Sequence, residues 1–159
     1  MKKGFTLVEL LVVVAILGVL AAVGIVSFGG YLGKSKQVAS KTNYKIVKDF
    51  IINEVNGCQV DRFPQLYNPD GTIKKPACPV HAKGSLEYFV VHFNYIKLKN
   101  PYNNNKLAVN YDCSNENGCI ELSAPDAYKF IIKSYYSDKE GNQITLGPHT
   151  ILTEWYLRN

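Results

Sequence analysis

The side chain of greatest chemical interest in this 159-residue sequence is the carboxylate of Glu9, because it lies at the start of a long apolar segment. Lys2 and Lys3 precede it, and no charged residue occurs between Glu9 and Lys34, which leaves 24 uncharged residues in a row. At about 1.5 Å of rise per residue, such a run forms about 36 Å of helix, enough to cross a hydrocarbon core of about 30 Å. An ionisable group inside such a segment is costly, so it indicates a function and requires a partner.

Three kinds of N-terminal segment could explain a basic head followed by an apolar run. A cleaved secretory signal would find small residues near a cut at Ala21 and Ala22, but its apolar region spans only about 7–15 residues. A plain membrane anchor has the right length and no use for a carboxylate. Neither explains Glu9, whose partner could be a new α-amino group, formed if the chain is cut after Gly4.

The sequence KKGFTLVEL at residues 2–10, followed by the apolar run, closely resembles the N-terminus of type IV pilins and the related pseudopilins. The resemblance implies that a prepilin peptidase cuts between Gly4 and Phe5 on the cytoplasmic face and then N-methylates Phe5. It also implies that the apolar helix is kept as the core of a helical filament. In that filament Glu9 would pair with the amino group of Phe5 on a neighbouring subunit and so favour one axial register.

The same resemblance implies the partners and the location of the protein. The partners would be other copies of the chain or other pilins, the prepilin peptidase, and the assembly machinery of a pilus or secretion system. The precursor would be a single-pass protein of the inner membrane, and the assembled filament would lie at the cell surface.

Four cysteines in an exported chain indicate disulfides, although four allow three connectivities. Cys58 and Cys78 flank a stretch rich in turn residues, while Cys113 and Cys119 bracket Ser-Asn-Glu-Asn-Gly. The pairs Cys58–Cys78 and Cys113–Cys119 are favoured, because each closes a loop that turn residues already mark.

A run of lysines follows the apolar segment and is not offset by any acid before Asp49. It is typical of a solvated helix face, and it could also face anionic headgroups or DNA. The formal net charge of +5 does not by itself indicate a nucleic-acid-binding protein. The lysines concerned are Lys34, Lys36, Lys41, Lys45 and Lys48.

No catalytic constellation appears, so the sequence predicts neither an enzyme nor a cofactor. Cys78 and His81 have the spacing of half a zinc site, without a second half nearby. The acidic loops 112–118 and 138–142 could be compared with calcium-binding loops of some pseudopilins, but plain turns are favoured. We expect no metal site.

These residues belong to a chain whose helix and strand patterns predict an α+β fold. No proline interrupts residues 5–56, and Asn56-Gly57 is a natural helix stop, so one long helix is predicted. We divide the chain into a leader (1–4), a transmembrane or filament-core half of the helix (5–30), an amphipathic half (31–56) and a globular head (57–159). An apolar stripe in the amphipathic half would pack on the head, and it comprises Tyr44, Val47, Ile51 and Val55, with Phe50 beside them.

The head is predicted to hold a loop, a short helix and a small antiparallel sheet. Residues 58–81 read as loop, and residues 85–99 favour a helix over a strand, with Ser85 as its N-cap. The segment 99–103, Lys-Asn-Pro-Tyr-Asn, resembles a loop that many pilins and pseudopilins place after a short second helix.

The strands of that sheet are predicted from alternating apolar residues and turn signals. Residues 107–111 and 120–122 would form a hairpin around the second cysteine pair. Further strands are predicted at 129–136, 143–146 and 150–157.

The sequence therefore predicts a structural subunit of a type IV pilus-like filament, made as a membrane-anchored precursor. A type II secretion pseudopilin is the alternative within the same class. A minor pilin that binds DNA during uptake is the alternative from another class, based on the lysines and on the 11 tyrosines.

Overall fold

The structure is a computed structural model that describes residues 4–114 and 116–153, and for residues 26–28 it describes the backbone alone. Lys2 and Lys3 therefore lie outside the described residues. So do residues 154–157, the end of the strand predicted at 150–157. The chain divides into two compact units, Met1–Ser35 and Lys36–Asn159.

The first unit consists mainly of the beginning of helix α1 (Leu7–Gly57), which continues into the second unit. The prediction of one long N-terminal helix is confirmed, and it ends at Asn56-Gly57 because Gly57 leads into a short 3₁₀ helix, Cys58–Val60. By length and composition, α1 is long and apolar enough to cross a membrane. The described large apolar side chains from Leu7 to Ile25 are exposed.

The second unit is an α+β head, as predicted. Its elements after the 3₁₀ helix are β1 (Leu66–Tyr67), β2 (Ile73–Lys74), α2 (Ala82–Tyr95), β3 (Lys99–Asn100), β4 (Asn103–Leu107), β5 (Val109–Asn110), β6 (Ile120–Asp126), β7 (Lys129–Ser137) and β8 (Gln143–Leu152). The stretch predicted as loop thus contains the small antiparallel hairpin β1–β2.

The main sheet has the order β5-β6-β7-β8 and is antiparallel except at one edge. The predicted hairpin between 107–111 and 120–122 is wrong, because β5 pairs with β6 in parallel, with Val109 opposite Ile120. Leu107 belongs instead to β4, where it pairs with Lys99. The loop between β5 and β6 is folded back by the Cys113–Cys119 disulfide, so the chain can return to the start of β5 and run alongside it.

The two predicted strands at 143–146 and 150–157 form one strand, β8, within the described residues. A register shift lets β8 continue through Gly147-Pro148, since Ile132 pairs with His149 and Ser134 pairs with Leu146. Two residues of β8 therefore lie opposite one residue of β7, which is a β-bulge. β8 lies at the edge of the sheet and Pro148 lies at its bulge, and a proline is tolerated at both kinds of position.

The core of the head lies between the sheet and the two helices. The predicted stripe of α1 is buried there, with Val47 and Ile51 fully inaccessible. Helix α2 contributes Phe89, whose ring meets that of Phe130 of β7 edge to face at 5.2 Å. Burying one large apolar side chain stabilises a fold by about 1.5–3 kcal/mol, so this layer dominates the stability of the head.

The prediction of a helix near residues 85–99 is confirmed, but its predicted N-cap is wrong. Helix α2 begins at Ala82, because the Nδ1 of His81 accepts a hydrogen bond from the amide of Gly84 at 3.1 Å. Ser85 is a buried residue inside the helix. An imidazole can cap a helix in the same way as a serine hydroxyl, by satisfying an amide of the first turn.

Candidate functional site

The N-terminal site is built around Thr6 and Glu9, at the start of α1. The Oε2 of Glu9 accepts hydrogen bonds from the amide and the hydroxyl of Thr6, each at 2.8 Å. The Oγ1 of Thr6 in turn accepts from the amide of Glu9 at 3.2 Å. This reciprocal arrangement is a capping box, in which a residue at the N-cap and an acid three residues later satisfy each other's amides. The Thr-x-x-Glu spacing was the signal for it, and our sequence reasoning did not use it.

The predicted cleavage position lies just outside the helix. Gly4, Phe5 and Thr6 have no helical conformation, and the helix begins at Leu7. The side chain of Phe5 is 81% exposed. The peptide bond between Gly4 and Phe5 is thus in an exposed, non-helical segment, the kind of backbone that proteases cut most readily.

The five predicted surface lysines have different environments. Lys36 Nζ lies 5.7 Å from the ring centroid of Tyr102, and Lys41 Nζ lies 5.0 Å from that of Tyr136. Lys48 Nζ is 3.7 Å from a carboxylate oxygen of Asp49. Lys34 and Lys45 are exposed. Lys36 and Lys41 thus lie over tyrosine rings of the head, and Lys48 pairs with its neighbour on α1. A role of the group in binding DNA stays a prediction.

Both cysteine pairs form disulfides in the head. Cys58 bonds to Cys78 with a Cα–Cα distance of 5.5 Å, and Cys113 bonds to Cys119 with one of 5.7 Å. The first disulfide links the end of α1 to the segment before α2. The second closes the loop between β5 and β6. These are the pairs that the turn residues favoured.

Several of the residues that the sequence offers as metal ligands have other bonding partners. Cys78 is in a disulfide, and His81 caps α2. The Oδ1 of Asp138 accepts from the amides of Glu140 and Asn142. A hydrogen bond from the side chain of Asn142, together with these backbone bonds, holds the pKa of Asp138 below its ordinary value. Within the described residues, no group of three or more His, Cys, Asp or Glu side chains could hold a metal ion.

A nearly buried carboxylate, Glu54, fixes the chain where α1 ends. Its Oε1 is 2.9 Å from the Nη1 of Arg62, and its Oε2 accepts from the amide of Gln65 at 3.0 Å. Arg62 also donates to the carbonyl of Asn53 at 2.7 Å. The ion pair therefore holds the segment after Gly57 against the last turn of the helix.

Replacing Arg62 by methionine should lower the free energy of unfolding by about 1–2 kcal/mol, because it leaves the Glu54 carboxylate short of a donor. The effect is moderated by the 44% exposure of the Arg62 side chain. The matched control is Lys129→Met, which breaks a more exposed pair with Asp126 at 3.3 Å, of a kind that contributes about 0–1 kcal/mol. Urea unfolding of the full chain in detergent micelles, followed by near-UV circular dichroism, measures both; equal losses would contradict the special role of Arg62.

A buried histidine anchors the β1–β2 hairpin. His92, on α2, stacks between Phe50 and Tyr67 at centroid distances of 4.4 and 5.4 Å. Its Nδ1 accepts from the amide of Tyr67 at 3.1 Å, so the neutral ring carries its proton on Nε2. Burial lowers the pKa of His92 below its ordinary value of 6.5, and the nearby Glu54 opposes that shift.

We expect the head to lose stability as the pH falls below about 6.5, since the unfolded chain then binds a proton that folded His92 resists. The slope has an upper limit of about 1.4 kcal/mol per pH unit for one such group. The free energy of unfolding between pH 7 and pH 5 is the measurement. His92→Phe keeps a stacked ring and removes the titrating group, so this variant should lack that slope; an unchanged slope would assign it to other residues.

A second buried polar junction joins β3 to the loop of the second disulfide. Asn100 is fully buried, and its Nδ2 donates to Glu116 Oε1 at 3.1 Å and to the carbonyl of Asn117 at 3.0 Å. Its Oδ1 accepts from the amides of Tyr102 and Asn103. The carboxamide thus connects the Lys-Asn-Pro-Tyr-Asn turn to a distant loop, which sequence reasoning did not foresee.

Comparison with known protein families identifies a motif in the N-terminal segment. The family described as "Prokaryotic N-terminal methylation motif" matches residues 1–25. The type IV major pilin protein PilA of Myxococcus xanthus is 54% identical over 44 residues, which are 28% of this chain and 20% of PilA. The type IV major fimbrial protein FimA of Dichelobacter nodosus is 48% identical over 44 residues, or 26% of this chain and 28% of FimA. No solved structure matches the chain.

The chain combines an apolar N-terminal helix with a capped acid and an α+β head that carries two disulfides. The match to the methylation motif and the similarity to these two proteins agree with the resemblance to type IV pilins that residues 2–10 carry. The similarity spans between 20% and 28% of the length of these two relatives. The names of these two relatives describe a major pilin and a major fimbrial protein.

Proposed function

We propose that the chain is the structural subunit of a type IV pilus-like filament. The observation that carries this proposal is the combination of the methylation motif with a carboxylate at the start of an apolar helix. In the proposal the prepilin peptidase cuts after Gly4 and methylates the amino group of Phe5. The precursor is anchored in the inner membrane, and the mature subunit polymerises into a filament at the cell surface.

The physical basis of the proposed assembly is a charge pair between copies of the chain. The ammonium of Phe5 keeps its positive charge after N-methylation. In an apolar filament core it would meet the Glu9 carboxylate of a neighbouring subunit. Removing one member of a buried ion pair leaves the other charge stranded, at a cost of about 3–5 kcal/mol. Only registers that bring the two groups together avoid that cost, so the pair favours one register.

The proposal divides the chain by role. Residues 1–4 are the leader, residues 5–30 form the membrane anchor and then the filament core, residues 31–56 form the amphipathic half of the helix, and residues 57–159 form the head. The exposed apolar side chains of the first unit support this division, because they require a lipid or protein environment.

Electron microscopy of purified surface fibres, combined with mass analysis of the N-terminus of their main component, tests this function. The expected result is fibres whose subunit begins with N-methylated Phe5. A mature chain that begins elsewhere would overturn the proposal. So would finding that cells remove the apolar helix and release the head as a free protein.

The two alternatives predict different results in the same material. A type II secretion pseudopilin would form short assemblies that depend on a secretion system instead of long surface fibres. A DNA-binding minor pilin would be a small fraction of the fibre, and its affinity for DNA would fall steeply with added salt, because phosphate contacts release counterions. The contacts of Lys36 and Lys41 with tyrosine rings do not specifically favour this last alternative.

A further inference from the structure

Three reactive side chains meet where β3 and β4 contact the loop of the second disulfide. They are the amine of Lys106, the carboxylate of Glu116 and the carboxamide of Asn100. Lys106 Nζ lies 2.8 Å from Glu116 Oε2, and Asn100 Nδ2 donates to Glu116 Oε1 at 3.1 Å. One carboxylate therefore contacts an amine and a carboxamide at the same time, each through a different oxygen. Filament formation through the N-terminal helix uses none of these groups.

The orientation of the Asn100 carboxamide is fixed by its partners. Its Oδ1 accepts from the backbone amides of Tyr102 at 2.8 Å and Asn103 at 3.3 Å. Its Nδ2 also donates to the carbonyl of Asn117, which can only accept. Two amides directed at one carbonyl oxygen stabilise the negative charge that develops there when a nucleophile adds to the carbonyl carbon. The carboxamide is thus polarised for attack at Cγ.

We propose that Lys106 and Asn100 form an intramolecular isopeptide bond, with Glu116 as the general acid–base group that transfers the protons. The lysine amine adds to Cγ of Asn100, the Cγ–Nδ2 bond breaks, and an amide links the two side chains. The lysine ammonium gives up two protons, which Glu116 passes in turn to the leaving nitrogen, so that this nitrogen departs as ammonium. Atoms and charge balance without an oxidant or any other reactant. The hydrogen-bonded arrangement of the three side chains is the reactant of this step.

Glu116 contacts both the group that loses protons and the group that gains them. Its distances of 2.8 Å to Lys106 and 3.1 Å to Asn100 are within the range of about 2.6–3.2 Å over which a general base or acid acts. A lysine amine is nucleophilic in its neutral form, and a proton acceptor beside it supplies that form. The Lys106 side chain is 56% exposed, which leaves its flexible stem room to move Nζ from the carboxylate to Cγ.

The competing reactions of an asparagine carboxamide are disfavoured at this position. Asn100 is fully buried, so bulk water does not reach Cγ to hydrolyse it. An asparagine usually loses ammonia when the amide nitrogen of the next residue attacks its Cγ. The next residue here is Pro101, which has no N–H. The amine of Lys106 therefore has few competitors as the nucleophile.

The bond would join two neighbouring strands. Lys99 of β3 pairs with Leu107 of β4, and Asn100 and Lys106 are the next residues inward along the same hairpin. The link would close the turn between the strands covalently, and, unlike the disulfide of the adjacent loop, it would survive reduction. A cross-link limits the conformations of the unfolded chain, so it would also oppose unfolding of this turn.

The test is the mass of the full-length chain, made in cells that lack the prepilin peptidase, purified in detergent micelles, and then denatured and reduced. The native chain should be lighter than its sequence by one molecule of ammonia. Lys106→Arg keeps the positive charge but cannot form the amide, and Glu116→Gln keeps the shape of the side chain without its basicity. Both variants should show the full sequence mass. Lys99→Arg is the matched control, because it changes a neighbouring exposed lysine, and it should lose ammonia like the native chain.

Digestion of the denatured and reduced chain locates the bond. Chymotrypsin can cut after Tyr102, between the two linked residues, and the resulting fragments should stay joined. Trypsin should not cut after Lys106, because its amine is acylated.

A native chain of full sequence mass would overturn the proposal, and this result needs no variant, so it does not depend on how the variants fold. A loss of ammonia that persists in Lys106→Arg would also overturn it, since another residue would then be modified. A normal loss in Glu116→Gln would overturn the role of Glu116 as the proton carrier. Surface fibres are scored separately, so a failure of this proposal does not affect the proposed function.

Discussion

Subunits carrying Glu9→Gln are expected to insert into the membrane as well as the native chain and to form no filaments. Glutamine is accepted at the third position of a capping box, so the contacts with Thr6 can be kept. The substitution removes only the charge that would meet the Phe5 ammonium of a neighbour. A loss of about 3 kcal/mol per contact corresponds to more than a hundredfold in each association constant, which is enough to prevent polymerisation.

The measurement is the amount of subunit in sheared surface fibres and in the membrane fraction, together with electron microscopy of the cell surface. Asp49→Asn is the matched control, because it also removes one negative charge from α1, at a side chain that is 45% exposed in the head. This control should assemble normally. Abundant fibres of normal appearance from Glu9→Gln would show that the charge of Glu9 is not needed for assembly.

The second large effect is expected from Asn100→Asp, which should lower the free energy of unfolding of the head by about 3–4 kcal/mol. The substitution keeps the shape of the side chain and removes the NH₂ group that donates to Glu116 and to the carbonyl of Asn117. It also puts a second carboxyl group, at a fully buried position, beside Glu116. A lost donor, desolvation and like-charge repulsion all act in the same direction.

Asn104→Asp is the control for this experiment, since Asn104 is an exposed residue of the neighbouring strand β4. It makes the same chemical change and should alter stability by less than about 0.5 kcal/mol. Urea unfolding of both full-length variants at pH 7 gives the comparison. A loss below 1 kcal/mol for Asn100→Asp would mean that the junction is not a main support of the head.

The Asn100 junction also explains why a glycine stands at position 118. The backbone of Gly118 has a φ of 82°, which few L side chains adopt. A Cβ atom there would overlap the Oδ1 of Asn100 and lie 2.9 Å from Cδ2 of Tyr102. The turn before Cys119 therefore packs directly against the carboxamide.

Several features could be predicted from the sequence because they depend on residues close together in the chain. The apolar run predicts the membrane-length helix, and the three- and four-residue spacing of Tyr44, Val47, Ile51 and Val55 predicts the buried stripe. Turn residues next to Cys58 and Cys78 favour their disulfide.

Other features depend on contacts between distant segments, and the sequence does not show which segments pair with each other. The pairing of β5 with β6 could not be read from alternation, because the same apolar pattern fits a parallel and an antiparallel neighbour equally well. The bonds of His92 to Tyr67 and of Asn100 to Glu116 join residues 25 and 16 positions apart. Such buried polar groups need a partner, but only the packed chain determines which one.

Local patterns thus predicted the resemblance to type IV pilins at the N-terminus and the long helix that begins near Glu9. Packing of the whole chain was needed to show which polar groups meet in the head, where α2 begins and how the strands of the main sheet pair. The physical reason is that periodicity and turn chemistry act over a few residues, whereas hydrogen-bond partners across a core are chosen by the mutual packing of distant elements.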